Sequence, residues 1–149
     1  MHFITGGAFN GKRAWVKKIY QVEKDDNWIS AYENHPLPIC ISHHQHFVIL
    51  EGIEIWLRHL TEQFAIQQSR EFWNSCLNNC LKWEKEKLNR KLIVIGSDIT
   101  KGIVPLEKEN RIWRDLTGWA YQDTAAKAEK VDVIWYGLNQ TMKRRENVT

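Results

Sequence analysis

Two short, uninterrupted apolar runs constrain the fold of this chain more than any other feature. They read FVIL at 47–50 and LIVI at 92–95. Runs without alternation of polar and apolar residues are typical of strands that are buried on both faces of a parallel sheet. Segments with helical periodicity separate these runs, so the sequence predicts an α/β fold with three layers and a mainly parallel sheet.

The other elements follow from the same patterns. The predicted strands are 2–5, 27–32, 47–50, 92–95 and, as the last one, 131–135. The predicted helices are 12–21, one that begins near Ile53, one that is capped by Ser69, and a long one through Ile112 and Ala120. Three tryptophans fall on apolar helical stripes and are predicted to pack in the core: Trp56, Trp73 and Trp113.

Length and composition indicate one ordinary globular domain. The 149 residues suit a single domain, 1–149, with a flexible polar tail at 143–149. A balance of 21 Lys and Arg against 18 Asp and Glu is too even to predict binding to nucleic acid. No run is long enough for a membrane span, so we expect a cytoplasmic protein with three reduced, packed cysteines, Cys40, Cys76 and Cys80.

A glycine-rich motif lies between the first predicted strand and the first predicted helix. Residues 6–12 have the form G-x-x-x-x-G-K, the frame of a phosphate-binding loop, in the strand-loop-helix context that such a loop requires. Arg13 follows where a Ser or Thr would bind Mg²⁺, and a guanidinium cannot coordinate a metal. It could bind a phosphate directly. The predicted nucleotide-binding residues are Gly6, Gly7, Ala8, Phe9, Asn10, Gly11, Lys12 and Arg13.

Acidic residues follow two further strands. Glu51 ends the FVIL run, and Ser97 with Asp98 follows the LIVI run. Ligands bind outside the carboxyl ends of parallel strands, so Glu51 and Asp98 are candidate organisers of Mg²⁺ for phosphoryl transfer. Lys12 would neutralise phosphate charge. Alternatively, Glu51 caps the following helix or faces water. Because Arg13 cannot bind a metal, Mg²⁺ would be held by substrate oxygens, Glu51 and water.

The histidines carry weaker signals. His43, His44 and His46 lie in SHHQH before a buried strand, where an exposed loop is the simplest interpretation. Three imidazoles could also bind a transition metal or carry a phosphoramidate. His59 is predicted on a helix surface.

Two stretches resemble a known family. FITGGAFNGK and SDITKGIVPLEKENRIWRDLTGWAYQ are similar to the phosphate loop and the G-I-V-P and R-D motifs of the bifunctional adenosylcobinamide kinase/adenosylcobinamide-phosphate guanylyltransferases of cobalamin biosynthesis. VILEGIEIWL looks like the family's Walker B stretch, which places Glu51 on the metal-organising acid. The resemblance implies a three-layer P-loop (RecA-like) nucleotide-binding fold, GTP or ATP with Mg²⁺, a corrinoid substrate and sites between subunits of a homo-oligomer.

Some positions depart from the family pattern. Arg13 replaces the phosphate-loop Ser, and Tyr121 replaces an Asn. NWISAYE looks like the strand that precedes the family's GMP-accepting histidine, but the segment between Tyr32 and Phe47 is too short for the helix that carries it. His35 lies closest to that position.

The sequence therefore predicts an adenosylcobinamide kinase in which Lys12 and Glu51 are catalytic. One alternative is a catalytically weakened paralogue that binds a nucleotide or a corrinoid. Another is the full bifunctional enzyme with His35 or the SHHQH cluster as GMP acceptor.

Overall fold

A computed structural model of the chain describes residues 1–22 and 27–145. These residues form six strands, four α-helices and a short 3-10 helix. The strands are β1 (His2–Gly6), β2 (Trp28–Ser30), β3 (Phe47–Glu51), β4 (Lys91–Ser97), β5 (Lys130–Trp135) and β6 (Leu138–Arg144). The helices are α1 (Lys12–Tyr20), α2 (Ile53–Gln63), α3 (Ile66–Glu86) and α4 (Lys108–Lys127), and the 3-10 helix is Ala31–Glu33.

The strands form one sheet in the order β2-β3-β4-β1-β5-β6. All neighbouring pairs are parallel except β5 and β6, which form an antiparallel hairpin. The predicted α/β fold with a mainly parallel sheet is thereby confirmed, and its strand order brings β3, β4 and β1 together in the centre.

Helices cover both faces of the sheet, which explains the uninterrupted apolar runs. Val48 and Leu50 pack with side chains of α2, α3 and α4 on one face, whereas Ile49 packs with Val16 of α1 on the other. Ile93 of β4 likewise joins the α1 face. Alternate residues of each central strand thus enter two different cores, and every position must be apolar.

Several predicted boundaries are wrong. The strand predicted at 27–32 is limited to β2, because the chain turns into the 3-10 helix directly after Ser30. Ser69 does not cap α3: the helix begins at Ile66, and Ser69 is buried inside it with its hydroxyl 3.5 Å from the Phe64 carbonyl oxygen.

The chain does not end with β5. A two-residue turn at Tyr136 and Gly137, with φ values of 50° and 75°, leads into β6, as expected for a hairpin that follows the strand twist. Lys143 and Arg144, predicted in the flexible tail, belong to this strand, and 146–149 lie outside the described residues.

Predicted core residues are mostly buried. Trp56 and Trp73 are buried as expected, whereas Trp113 is only partly buried and borders a pocket. The three cysteines are free thiols; Cys76 and Cys80 are packed, but Cys40 is exposed in the loop before β3. Within the described ranges, no helix has the length and hydropathy needed to cross a membrane.

Candidate functional site

Three predicted strand ends meet at one edge of the sheet. The phosphate-loop frame follows β1, Glu51 ends β3 and Ser97 ends β4, and these strands are neighbours. A pocket of about 790 Å³ opens at this edge. Its lining combines loop residues and apolar side chains with three cations and two carboxylates, Lys12, Arg13, Lys17, Glu51 and Glu54.

The glycine loop is fitted closely to its neighbours. Gly6 has φ +142°, and a Cβ there would lie 2.4 Å from the carbonyl oxygen of Ile134 in β5. Gly11 has φ +86° and directly precedes α1. Both positions therefore require glycine. The first turn of α1, with its free amide groups, begins at the pocket, which is the arrangement that binds phosphate.

The turn between β5 and β6 is hydrogen-bonded to the glycine loop. The amide of Gly137 donates to the carbonyl oxygen of Asn10 at 2.9 Å, and the amide of Tyr136 donates to its side-chain oxygen at 3.3 Å. This hairpin, which the sequence analysis did not predict, therefore supports the loop.

Lys12 is buried at the base of the pocket. Its Nζ donates to the carbonyl oxygen of Gly7 at 2.8 Å and lies 3.4 Å from that of Gly6. Burial lowers the pKa of Lys12, and the nearby carboxylates of Glu54 and Glu51 oppose this effect. The ammonium group is thus held against the loop, with acids that favour its charged form.

Arg13 lies between two acids and an indole ring. Its Nη1 and Nη2 are each 3.3 Å from Oε1 of Glu33, and Nη1 is 3.6 Å from Oε1 of Glu51. The guanidinium carbon lies 4.9 Å from the centre of the Trp28 ring, a cation–π contact. Arg13 therefore lines the pocket while pairing with the acid that the sequence assigns to the metal.

Glu51 is almost fully buried. The hydroxyl of Ser30, at the end of β2, donates to its Oε1 at 2.7 Å. The same oxygen faces Arg13. A hydroxyl and a guanidinium therefore both approach this one carboxylate oxygen and orient the Glu51 side chain.

Glu54 is a site residue that the sequence analysis missed. This side chain, in the first turn of α2, is 3% exposed. The amide of Ser97 donates to Oε1 at 3.0 Å, and the hydroxyl of Tyr32 donates to Oε2. Burial, and next the Glu54 hydrogen bond, raise the pKa of Tyr32. The sequence pattern that could have identified Glu54 is an acid three residues after Glu51. This pattern is weak, because acids are common in the first turn of helices, where the helix dipole favours negative charge.

Asp98 is not brought together with Glu51. Its Oδ1 accepts hydrogen bonds from the amide and hydroxyl of Thr100 at 2.8 and 2.6 Å. Its Oδ2 lies 4.0 Å from Nζ of Lys101. Asp98 thus stabilises its own loop, and its neighbours Ser97 and Ile99 line the pocket instead.

His35 follows the 3-10 helix and is exposed. Its Nδ1 accepts a hydrogen bond from the amide of Ser30 at 3.0 Å. In the neutral ring Nδ1 is then the unprotonated nitrogen, so this bond uses the lone pair that would attack a nucleotide. The structure therefore does not prepare His35 as a GMP acceptor.

The SHHQH segment lies away from the pocket. It precedes β3, at the opposite end of that strand from Glu51. The His44 carbonyl accepts from the Trp83 indole at 3.1 Å, and the ring of His46 contacts Asn89. His59, as predicted, is exposed on α2. In the described parts of the chain, no three His, Cys, Asp or Glu side chains are grouped as metal ligands.

The side chains at the pocket do not fit the Mg²⁺ site of a phosphate-loop enzyme. Such a site takes a hydroxyl from the residue after the lysine and an acid from the Walker B strand. Here Arg13 offers only donors, Glu51 faces that guanidinium, and Asp98 is turned into its own loop. Both oxygens of Glu54 already accept protein hydrogen bonds.

A glycine loop between a strand and a helix, at the edge where central parallel strands end, is the arrangement of a P-loop fold. The comparison with protein families agrees. The family model of CobU, cobinamide kinase / cobinamide phosphate guanyltransferase, matches residues 3–142. The chain belongs to this family, which confirms the resemblance found in the sequence. No curated protein matches the chain at a significant level.

Family membership establishes the general type of protein. The CobU family consists of enzymes that act as kinases and guanylyltransferases in cobalamin biosynthesis, with cobinamide and nucleoside triphosphates as substrates and generally with Mg²⁺.

Proposed function

We propose that this protein is a nucleoside-triphosphate-dependent adenosylcobinamide kinase. The observation that carries the proposal is the position of Lys12, which is buried against the phosphate loop at the base of a large pocket. The pocket also offers apolar side chains, among them Ile55, Ile99 and Trp113, that suit the apolar parts of a large organic substrate.

The reaction would transfer the terminal phosphoryl group of ATP or GTP to a hydroxyl of the corrinoid side chain. The hydroxyl oxygen forms a bond to the terminal phosphorus, the bond from that phosphorus to the nucleoside diphosphate (ADP or GDP) breaks, and the hydroxyl proton passes to a carboxylate. Lys12 would leave the Gly7 carbonyl and bind the phosphate oxygens, while the amides of the loop hold the neighbouring phosphates. Glu51, next to Arg13 in the pocket, is the proposed proton acceptor.

The test is phosphorylation of adenosylcobinamide by the full chain with ATP or GTP, with product measured by chromatography. Lys12→Ala is expected to lower the rate ~100-fold or more, the scale of losing one preorganised charge at a transition state. Lys18→Ala is the matched control, since Lys18 lies on the same helix but is exposed and outside the pocket. Equal rates for the wild type and Lys12→Ala would overturn the proposal.

A second candidate is a nucleotide-binding protein without turnover. The pairing of Arg13 with Glu51 favours it, because this pair engages the acid that a kinase would use. Calorimetry that shows tight nucleotide binding, together with undetectable phosphorylation by ATP and by GTP, would support this second function.

A further inference from the structure

Arg13 occupies the position of a metal-binding hydroxyl and pairs with Glu51, the acid at the end of β3. The distance from Nη1 to Oε1 of Glu51 is 3.6 Å. We propose that the guanidinium of Arg13 takes the place of the divalent cation in this pocket, so that the protein binds a nucleoside triphosphate in its metal-free form. This inference rests on the proposed function only in taking the glycine loop as the polyphosphate site.

The guanidinium is held in place from several sides. Glu33, in the 3-10 helix, accepts from both terminal nitrogens, and the buried ring of Trp28 lies beneath the guanidinium plane. Trp28 is 4% exposed, so its ring is a fixed support. Both partners come from the segment around β2 and are independent of the phosphate loop itself.

These contacts still allow the Arg13 side chain to bind a phosphate. Its pair with Glu33 is exposed, and exposed pairs of this kind contribute little to stability. Arg13 lines the pocket together with Lys12, and a guanidinium can donate two parallel hydrogen bonds to a phosphate. The arginine can therefore exchange Glu33 for phosphate oxygens at small cost.

Charge also argues against a metal beside Arg13. A divalent cation at Glu51 would lie next to the fixed positive charge of the guanidinium, which repels it. Arg13 provides the positive charge that the metal would supply to the phosphates. A Ser at this position would remove the competing charge and add the hydroxyl ligand.

The experiment measures GTP binding to the full chain by calorimetry, once in excess MgCl₂ and once in excess EDTA. For the wild type we expect the two dissociation constants to agree within about threefold, because Arg13 stays in place under both conditions. For Arg13→Ser we expect binding in MgCl₂ to be ~10-fold or more tighter than in EDTA, since the hydroxyl restores a metal ligand.

Two further variants make the result specific. Lys18→Ser removes one positive charge from the same helix outside the pocket, and its binding should show the wild-type pattern. Arg13→Lys keeps the charge and should also remain independent of the metal. Thermal unfolding of each variant establishes that it is folded before GTP is added.

The outcomes separate this inference from the proposed kinase function. Wild-type binding that requires MgCl₂ overturns the inference, even if adenosylcobinamide is phosphorylated. Metal-independent binding without phosphorylation supports the inference and contradicts the kinase proposal. Absence of binding under both conditions, for GTP and for ATP measured in the same way, overturns both.

Discussion

The buried histidine at the start of β1 provides a prediction about stability and pH. His2 has no exposed surface, with Nε2 2.5 Å from Oδ2 of Asp132 and Nδ1 2.5 Å from the Tyr20 hydroxyl. A neutral ring satisfies both contacts, because Nε2 donates to the carboxylate and Nδ1 accepts from the hydroxyl. Burial lowers the pKa of His2 from 6.5 to about 4, against the opposing effect of Asp132.

This pKa makes folding sensitive to acid. As the pH falls below 6.5, the unfolded chain binds a proton at His2 while the folded chain does not, so stability decreases and the loss levels off below pH 4. The difference between the two pKa values corresponds to ~3 kcal/mol at full effect, of which ~2 kcal/mol falls between about pH 7.5 and pH 5. His2 lies on β1, the strand that leads into the phosphate loop.

Urea unfolding followed by tryptophan fluorescence at these two pH values measures the effect. In His2→Gln the residue cannot be protonated, so this variant should lose ~2 kcal/mol less than the wild type between the two conditions. His59→Gln, which changes an exposed histidine, serves as the control and should behave as the wild type. Equal losses in His2→Gln and the wild type would refute the assignment of a neutral, buried His2.

Two further predictions concern the pocket. Glu54→Gln should lower the free energy of unfolding by about 1–3 kcal/mol in urea titrations, because its amide group cannot accept from both the Ser97 amide and the Tyr32 hydroxyl; an unchanged midpoint would show that these bonds contribute nothing. Gly6→Ala should destabilise the fold by ~2 kcal/mol more than Gly102→Ala, because both glycines have positive φ but only at Gly6 does a Cβ meet backbone, at 2.4 Å. Equal thermal midpoints for the two alanine variants would contradict the close packing of the loop on β5.

The sequence predicted the centre of the sheet well and its edge poorly. The FVIL and LIVI runs are apolar because helices cover both faces, and that burial is visible in the residues themselves. β6 has no such signal: all seven of its residues, LNQTMKR, are exposed, and only pairing with β5 makes them a strand. A strand with no buried face leaves no hydrophobic pattern to detect.

Two predictions from local sequence patterns were wrong because tertiary packing determined the structure at those residues. Ser69 is a good helix cap in isolation, but α3 begins one turn earlier and buries it. Trp113 lies on an apolar stripe as predicted, yet its indole nitrogen donates to the backbone oxygen of Glu54 at 2.8 Å, which places the ring at the pocket. Helical periodicity identifies a face of a helix and does not say whether that face meets a core or a cavity.

The sequence predicted which residues of the candidate site lie at the strand ends. It did not predict how the charged side chains pair with one another. Arg13 was recognised as a departure from the phosphate-loop pattern, but its partners come from distant segments: Trp28 on β2, Glu33 after it and Glu51 on β3. These contacts exist because β2 lies beside β3 under the helix that carries Arg13, and strand order cannot be read from the motif. At position 13, one departure from the phosphate-loop pattern therefore removes a hydroxyl and also adds a guanidinium that pairs with Glu51. The sequence shows the departure, and only the assembled sheet shows the pairing.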